Sequence, residues 1–211
     1  MIHDPQAPRI SPLDTADAPE AAQEILRNWP YNLHRVLARN VPTLKQWMPF
    51  AEHILRNNSV PAREREIAIL RVAWNAQCAY EWGLHARLAR SLGFGDDDLR
   101  NIALGGQHNP FWQPHEAALL DAVDDIMKGW SIGDSAWHVL AAHFDSPQLI
   151  DLVFVISQFM LVAVTLNSFR VPLEPGIEPL PVLAAHPEQR SAARSDRGAT
   201  IDRQINSGDE R

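Results

Sequence analysis

Four side chains capable of proton or thiol chemistry fall within residues 66–85: Glu66, Cys78, Glu81 and His85. The residues around them are largely apolar, and Cys78 is the only cysteine in the chain. A helix advances about 100° per residue, so residues seven apart return to nearly the same face. Cys78 and His85 therefore share one stripe, with Glu81 between them as an i,i+4 partner for His85. A carboxylate beside an imidazole is the usual equipment for removing and returning a proton. A thiol in the first turn of a helix is a different reagent, because the helix N-terminus favours thiolate.

The elements that position these groups are helical. Asn75-Ala76-Gln77 reads as a break, so a helix from Pro61 would fold back on one running from Cys78 to Leu92, closed by Gly93. Glu66, on the first of the pair, could then reach the stripe on the second. Upstream, helices are expected over 19–29 and 33–39, and from Pro42 through Leu55. Downstream they are expected from Gly95 to Leu104, from Pro114 to Gly129, over 134–144, and from Ser146 to Phe169. Pro172, Pro175, Pro179 and Pro181 forbid continuation of the last one. No segment alternates with a period of two. The expectation is an all-α fold of eight or nine helices without a sheet. It consists of an extended N-terminal arm over 1–18, a single helical domain over 19–182 and a polar tail over 183–211.

With 211 residues there is enough chain for one domain with a substantial core. A net charge of −7 argues against a nucleic-acid surface, which needs clustered Lys and Arg. A single cysteine fits a reducing compartment, and residues 1–19 carry four prolines and no apolar run. The expected location is cytoplasmic. The stretch 149–169 has the length of a membrane span, but Asp151, Gln158 and Asn167 interrupt it. It is read as a buried helix, with no membrane partner.

The spacing of Glu66, Cys78 and His85, with Tyr80-Glu81-Trp82 between the last two, resembles the signature of the carboxymuconolactone decarboxylase family, which includes alkylhydroperoxidase D. The peroxidase branch has a Glu, then a Cys-x-x-Cys pair whose first Cys is twelve residues on, then a His four after the second Cys. Here Glu81 stands where the second cysteine would be, and Tyr80 stands where that branch has a histidine. The run from Pro61 to Gly93, with its Leu-Ala-Arg-Ser-Leu-Gly ending, also resembles the family. Weaker likeness extends over about 30–180, including Asn32-Leu33-His34-Arg35. The resemblance implies an alkylhydroperoxidase D-like helical fold, a homo-oligomer often built on trimers, and a small-molecule substrate. It implies no metal and no organic cofactor. Asn32 and His34 fall where the family often lines its pocket. With Tyr80 and Trp82 they are the candidate substrate contacts.

Two chemistries follow. A cofactor-independent lyase or isomerase would use Glu81 and His85 as acid and base on a carboxylated or lactone-like substrate, with Glu66 tuning His85. A thiol peroxidase would use Cys78 as nucleophile, and without a second cysteine it needs an external thiol to resolve the sulfenic acid. A non-catalytic oligomeric binding protein would keep the fold alone. Plain readings stand beside these: His85 as a core histidine, Glu66 as an ion-pair partner of nearby arginines, Cys78 as an inert buried thiol. Glu66, Glu81 and His85 could also ligate a divalent ion, but their spacing is not diagnostic of one.

Overall fold

Proline and glycine punctuation sets most of the helix boundaries. In a computed structural model describing residues 7–107 and 109–181, nine α-helices and no strands occur among the described residues. They are α1 (Glu20–Asn28), α2 (Asn32–Leu37), α3 (Val41–Glu52), α4 (Ala62–Asn75), α5 (Ala79–Ser91), α6 (Asp96–Leu104), α7 (Pro114–Gly129), α8 (Asp134–His143) and α9 (Ser146–Phe169). Pro42, Pro114 and Pro147 occupy the first turns of α3, α7 and α9, where a missing N–H costs nothing. Asp145 caps α9 by accepting from the Gln148 N–H, and Gln148 returns the bond to Asp145.

The helix expected to continue through Leu55 changes character instead. Pro49 lies inside α3, and the chain then widens into a π turn over His53–Asn57. A π turn shifts side chains around the helix axis, and Ile54 and Leu55 of this turn both face the cavity described below.

α4 packs against α5, α6, α7 and α9, and residues 66–73 are all buried. The break between α4 and α5 falls where the sequence placed it. Ala76 ends α4, Gln77 takes a left-handed conformation with φ 51°, and Asn167 of α9 donates to the Ala76 carbonyl. α9 is long and apolar enough, by length and composition, to cross a membrane. In this fold Leu152, Ile156, Phe159 and Ala163 are buried, while Ile150, Phe154, Leu161 and Val164 are exposed.

The chain beyond α9 closes over α5. Asn32 Nδ2 donates to the Pro172 carbonyl, and the Tyr80 hydroxyl donates to Glu174. Gly83 is required there, because a Cβ would collide with the Ile177 side chain and the Glu178 carbonyl. The described part of the N-terminal arm is docked, not free. Arg9 donates to Phe169, Leu13 to Arg35, and Ala18 is buried beside Ala22 and Leu26. Its first six residues, and the polar tail expected over 183–211, lie outside the described residues.

Candidate functional site

α2, α3 with its π turn, α5 and α9 enclose a cavity of about 390 Å³. α5 contributes Glu81, Leu84, His85 and Leu88, the i, i+3, i+4, i+7 pattern of one helical face. α9 adds Gln158, Phe159, Val162 and Leu166. The α1–α2 connection and α2 add Trp29, Tyr31, Leu33 and His34, and α3 adds Trp47. Most of the wall is apolar. Arg87 is the only Lys or Arg among the lining residues, and it is exposed.

His85 is held from behind. Its Nδ1 lies 2.7 Å from Oε2 of Glu66, which is fully buried on α4. Phe159 meets the ring edge-on with centroids 4.9 Å apart. With Nδ1 engaged and the ring fixed, Nε2 is the nitrogen left for a substrate. The expected tuning of His85 by Glu66 takes the form of this bond, while the i,i+4 pairing with Glu81 is not made. Oε1 of Glu66 has no hydrogen-bond partner, and Arg65 Nε approaches it only to 4.0 Å.

Glu81 is buried, and neither of its carboxyl oxygens has a hydrogen-bond partner. Burial pushes its carboxyl well above the usual carboxylate range, and interaction with the Cys78 thiol pulls it back only in part. A carboxyl group that favours its protonated form therefore faces the cavity beside His85.

Cys78 stands at the start of α5, at its N-cap position, but the thiolate that a helix N-terminus favours is disfavoured there. The backbone N–H groups of Tyr80 and Glu81 do lower the thiol pKa, as a helix N-terminus should. Burial and the neighbouring Glu81 raise it by more. The thiol is fully buried in a cluster with Leu33, Val36, Tyr80, Ala163 and Leu166, and Cys78 does not line the cavity.

The four expected substrate contacts divide. His34 and Tyr80 line the cavity, whereas Asn32 and Trp82 do not. Asn32 uses its amide to hold Pro172 and Arg35. Trp82 is buried against Trp74, with ring centroids 5.6 Å apart. Sequence reasoning missed Trp29, Tyr31, Gln158 and Phe159 as cavity residues. The period of α9 could have selected Gln158, a lone polar residue in an apolar helix, but nothing local marked Trp29 or Tyr31.

His34 sits among the rings of Trp29, Tyr31 and Trp47, with centroids 5.5, 6.0 and 5.9 Å away. Burial lowers its pKa to about 4, so the imidazole is neutral at pH 7. His34 Nδ1, Trp47 Nε1 and Gln158 Nε2 are all buried without partners. Buried polar groups are almost always satisfied. Three unsatisfied nitrogens on residues lining one cavity mark a place for a polar ligand.

The sequence profile of the carboxymuconolactone decarboxylase family matches residues 42–124, which include Glu66, Cys78, Glu81 and His85. Over these residues the chain is similar to the carboxymuconolactone decarboxylase family, and its helical fold is AhpD-like. An uncharacterized protein of Bacillus subtilis (strain 168), YdfG, is 27% identical over 110 residues, covering 51% of this chain and 74% of YdfG. A peroxidase-related AhpD-core protein from Ralstonia eutropha JMP134 superposes with a TM-score of 0.66 at 16% identity, covering 79% of this chain and 93% of that one. A peroxidase-related protein from Silicibacter sp. TM1040 gives the same TM-score at 18% identity, with coverages of 85% and 96%. At such identities the superpositions speak for the AhpD-like fold alone.

Proposed function

We propose that this carboxymuconolactone decarboxylase-like chain is a cofactor-independent lyase or isomerase working by proton transfer on a small cyclic or carboxylated, lactone-like substrate. The observation that carries the reading is the contrast between His85 and Cys78. His85 lines the cavity and is oriented by a buried carboxylate, while Cys78 is a sequestered thiol outside it. In an isomerisation, His85 Nε2 takes a proton from a carbon made acidic by a neighbouring carbonyl. The electron pair moves toward that carbonyl, and the Glu81 carboxyl returns a proton at the new position. In a decarboxylation the C–CO₂ bond breaks, carbon dioxide leaves, and Glu81 protonates the carbon that keeps the electron pair. Water then reprotonates Glu81. Arg87, the sole cationic lining residue, suits a substrate carboxylate.

The test uses the full chain with a carboxylated lactone and, separately, a hydroperoxide with external dithiol. His85→Gln and Glu66→Gln are expected to lower lactone turnover on the order of 10²–10⁴-fold, the usual range for positioned acid–base groups. Cys78→Ala is expected to keep that turnover within a fewfold. Peroxide consumption that vanishes only in Cys78→Ala would replace this reading with the thiol peroxidase.

We also propose that the exposed face of α9, with Ile150, Phe154, Leu161 and Val164, is covered by another copy of the chain. Light scattering with Leu161→Glu tests this. A mass unchanged from the monomer in the wild type rejects it.

A further inference from the structure

A second cluster of chemically capable side chains lies outside the cavity lining. Glu64 is in the first turn of α4, His115 in the first turn of α7, and His143 is the last residue of α8. One ligand atom from each lies within 4.8 Å of the others. Among the described residues this is where three such groups converge, whereas Glu66, Glu81 and His85 do not form a ligand set. Glu64 and His115 are half-buried and His143 is exposed.

The geometry is more than proximity. The His115 and His143 rings stack with centroids 3.8 Å apart and planes within 9° of parallel. Phe144 meets both rings edge-on, at 6.3 and 4.7 Å, and fixes their plane from one side. An oxygen of Glu64 lies 3.5 Å from His115 Nε2, too long for a good charge-assisted hydrogen bond.

We propose that Glu64, His115 and His143 form a binding site for a divalent cation of the zinc class, with water completing the coordination. Two imidazoles and one carboxylate suit zinc, cobalt or nickel, and three protein ligands leave one position for solvent. A tetrahedral ion with bonds of about 2.0–2.2 Å needs donor atoms about 3.3 Å apart. Reaching that geometry requires the two imidazoles to rotate out of their stack, while the helices that carry the three ligands are already packed together: α4 on α7, and α7 on α8. The exposed side of His143 leaves a path for the ion. Bound there, the ion joins the end of α8 to the starts of α4 and α7. None of the three residues lines the catalytic cavity.

The experiment titrates zinc chloride into the full chain after metal removal with a chelator and exchange into chelator-free buffer. Calorimetry is expected to report one ion per chain and thermal melting a higher Tm with zinc. Cobalt chloride is expected to give the intense visible bands of a four- or five-coordinate ion. His115→Gln, His143→Gln and Glu64→Gln are each expected to weaken zinc at least tenfold and to abolish the rise in Tm. His138→Gln, which alters an exposed histidine outside the cluster, is expected to bind as the wild type does. The variants' folding is checked by their unliganded Tm and circular dichroism. Zinc bound equally by wild type and the His115→Gln/His143→Gln double variant, or by neither, overturns the proposal.

Discussion

Two buried charged residues of α4, Arg71 and Glu66, end in opposite states. Arg71 is saturated. Its Nε and Nη2 donate to the two oxygens of Asp124 at 2.7 and 2.6 Å, and its Nη1 donates to the carbonyls of Ile102 and Ala103. Asn75 adds a further bond to Asp124. Burial alone would raise the Asp124 pKa, but Arg71 holds it below the usual carboxylate range. Glu66 instead keeps one oxygen unpartnered and spends the other on His85. Glu81, across the α4–α5 turn, is left with neither oxygen bonded. Where a buried charge serves the fold, its valences are closed. Glu81, His34, Trp47 and Gln158 border the cavity with polar atoms left open, and unsatisfied buried groups cost stability unless something else uses them.

That contrast breaks most visibly at Arg71. Arg71→Met removes the guanidinium partner of Asp124 while keeping much of the side-chain volume, leaving a half-buried carboxylate with only Asn75 to answer it. Loss of about 3–5 kcal/mol is expected in urea unfolding. Gly105 reinforces the expectation. It takes φ 95° and lies so close that a Cβ would come 2.9 Å from Arg71 Nη2, so this corner is built around the guanidinium. Lactone turnover per folded molecule is expected to be unchanged. A variant as stable as wild type would mean that the saturated network adds nothing to the fold.

The open side is sharpened at His34. An imidazole buried neutral has a lower proton affinity in the fold than in the unfolded chain, here about 4 against 6.5. The unfolded state therefore binds the extra proton as pH drops. The stabilisation is fully present above about pH 6.5 and is lost as pH falls toward 4. The difference corresponds to about 3 kcal/mol. His34→Phe keeps an aromatic ring among Trp29, Tyr31 and Trp47 and breaks no hydrogen bond to Nδ1, which has none. Its unfolding free energy is expected to lack that acid-side loss. Parallel pH profiles for wild type and variant would show that His34 binds its proton equally well in the folded and unfolded chain.

Much of this architecture was legible because proline, glycine and helical period act locally. Pro61, the Asn75–Gln77 break and Gly93 framed the α4–α5 hairpin, and the spacing of Glu66, Cys78 and His85 pointed to the family. The partner of His85 was not legible from period alone. Helical geometry favoured Glu81, and only the crossing of α4 over α5 brings Glu66 to Nδ1. The state of Cys78 was left open between nucleophile and inert thiol for a similar reason. A helix N-terminus is a local feature and its effect on the thiol is present, but burial by α2 and α9 is tertiary and outweighs it. Trp82 followed Glu81 in sequence, yet adjacent residues on a helix point about 100° apart, which turned it to Trp74 and away from the cavity. Glu64, His115 and His143 come from three separated segments, so no spacing could join them.

Glu81 tests whether the open groups are open for chemistry. Its carboxyl is protonated in the fold well above the pH at which it would ionise in the unfolded chain. The fold thus binds the extra proton, and the sign is opposite to that of His34. The contribution is fully present below about pH 4.5 and is lost as pH rises toward the folded-state pKa. Glu81→Gln removes the ionisation but keeps a buried polar group of the same shape. At pH 4 the two proteins are expected to agree within about 0.5 kcal/mol, the scatter of a substitution with no named defect. From pH 4 to 8 the variant is expected to gain steadily over wild type, while losing the proton donor and with it lactone turnover. A stability difference that stays flat across that range would mean that Glu81 carries its charge in the fold. The acid of the proposed reaction would then have to be sought elsewhere in the cavity.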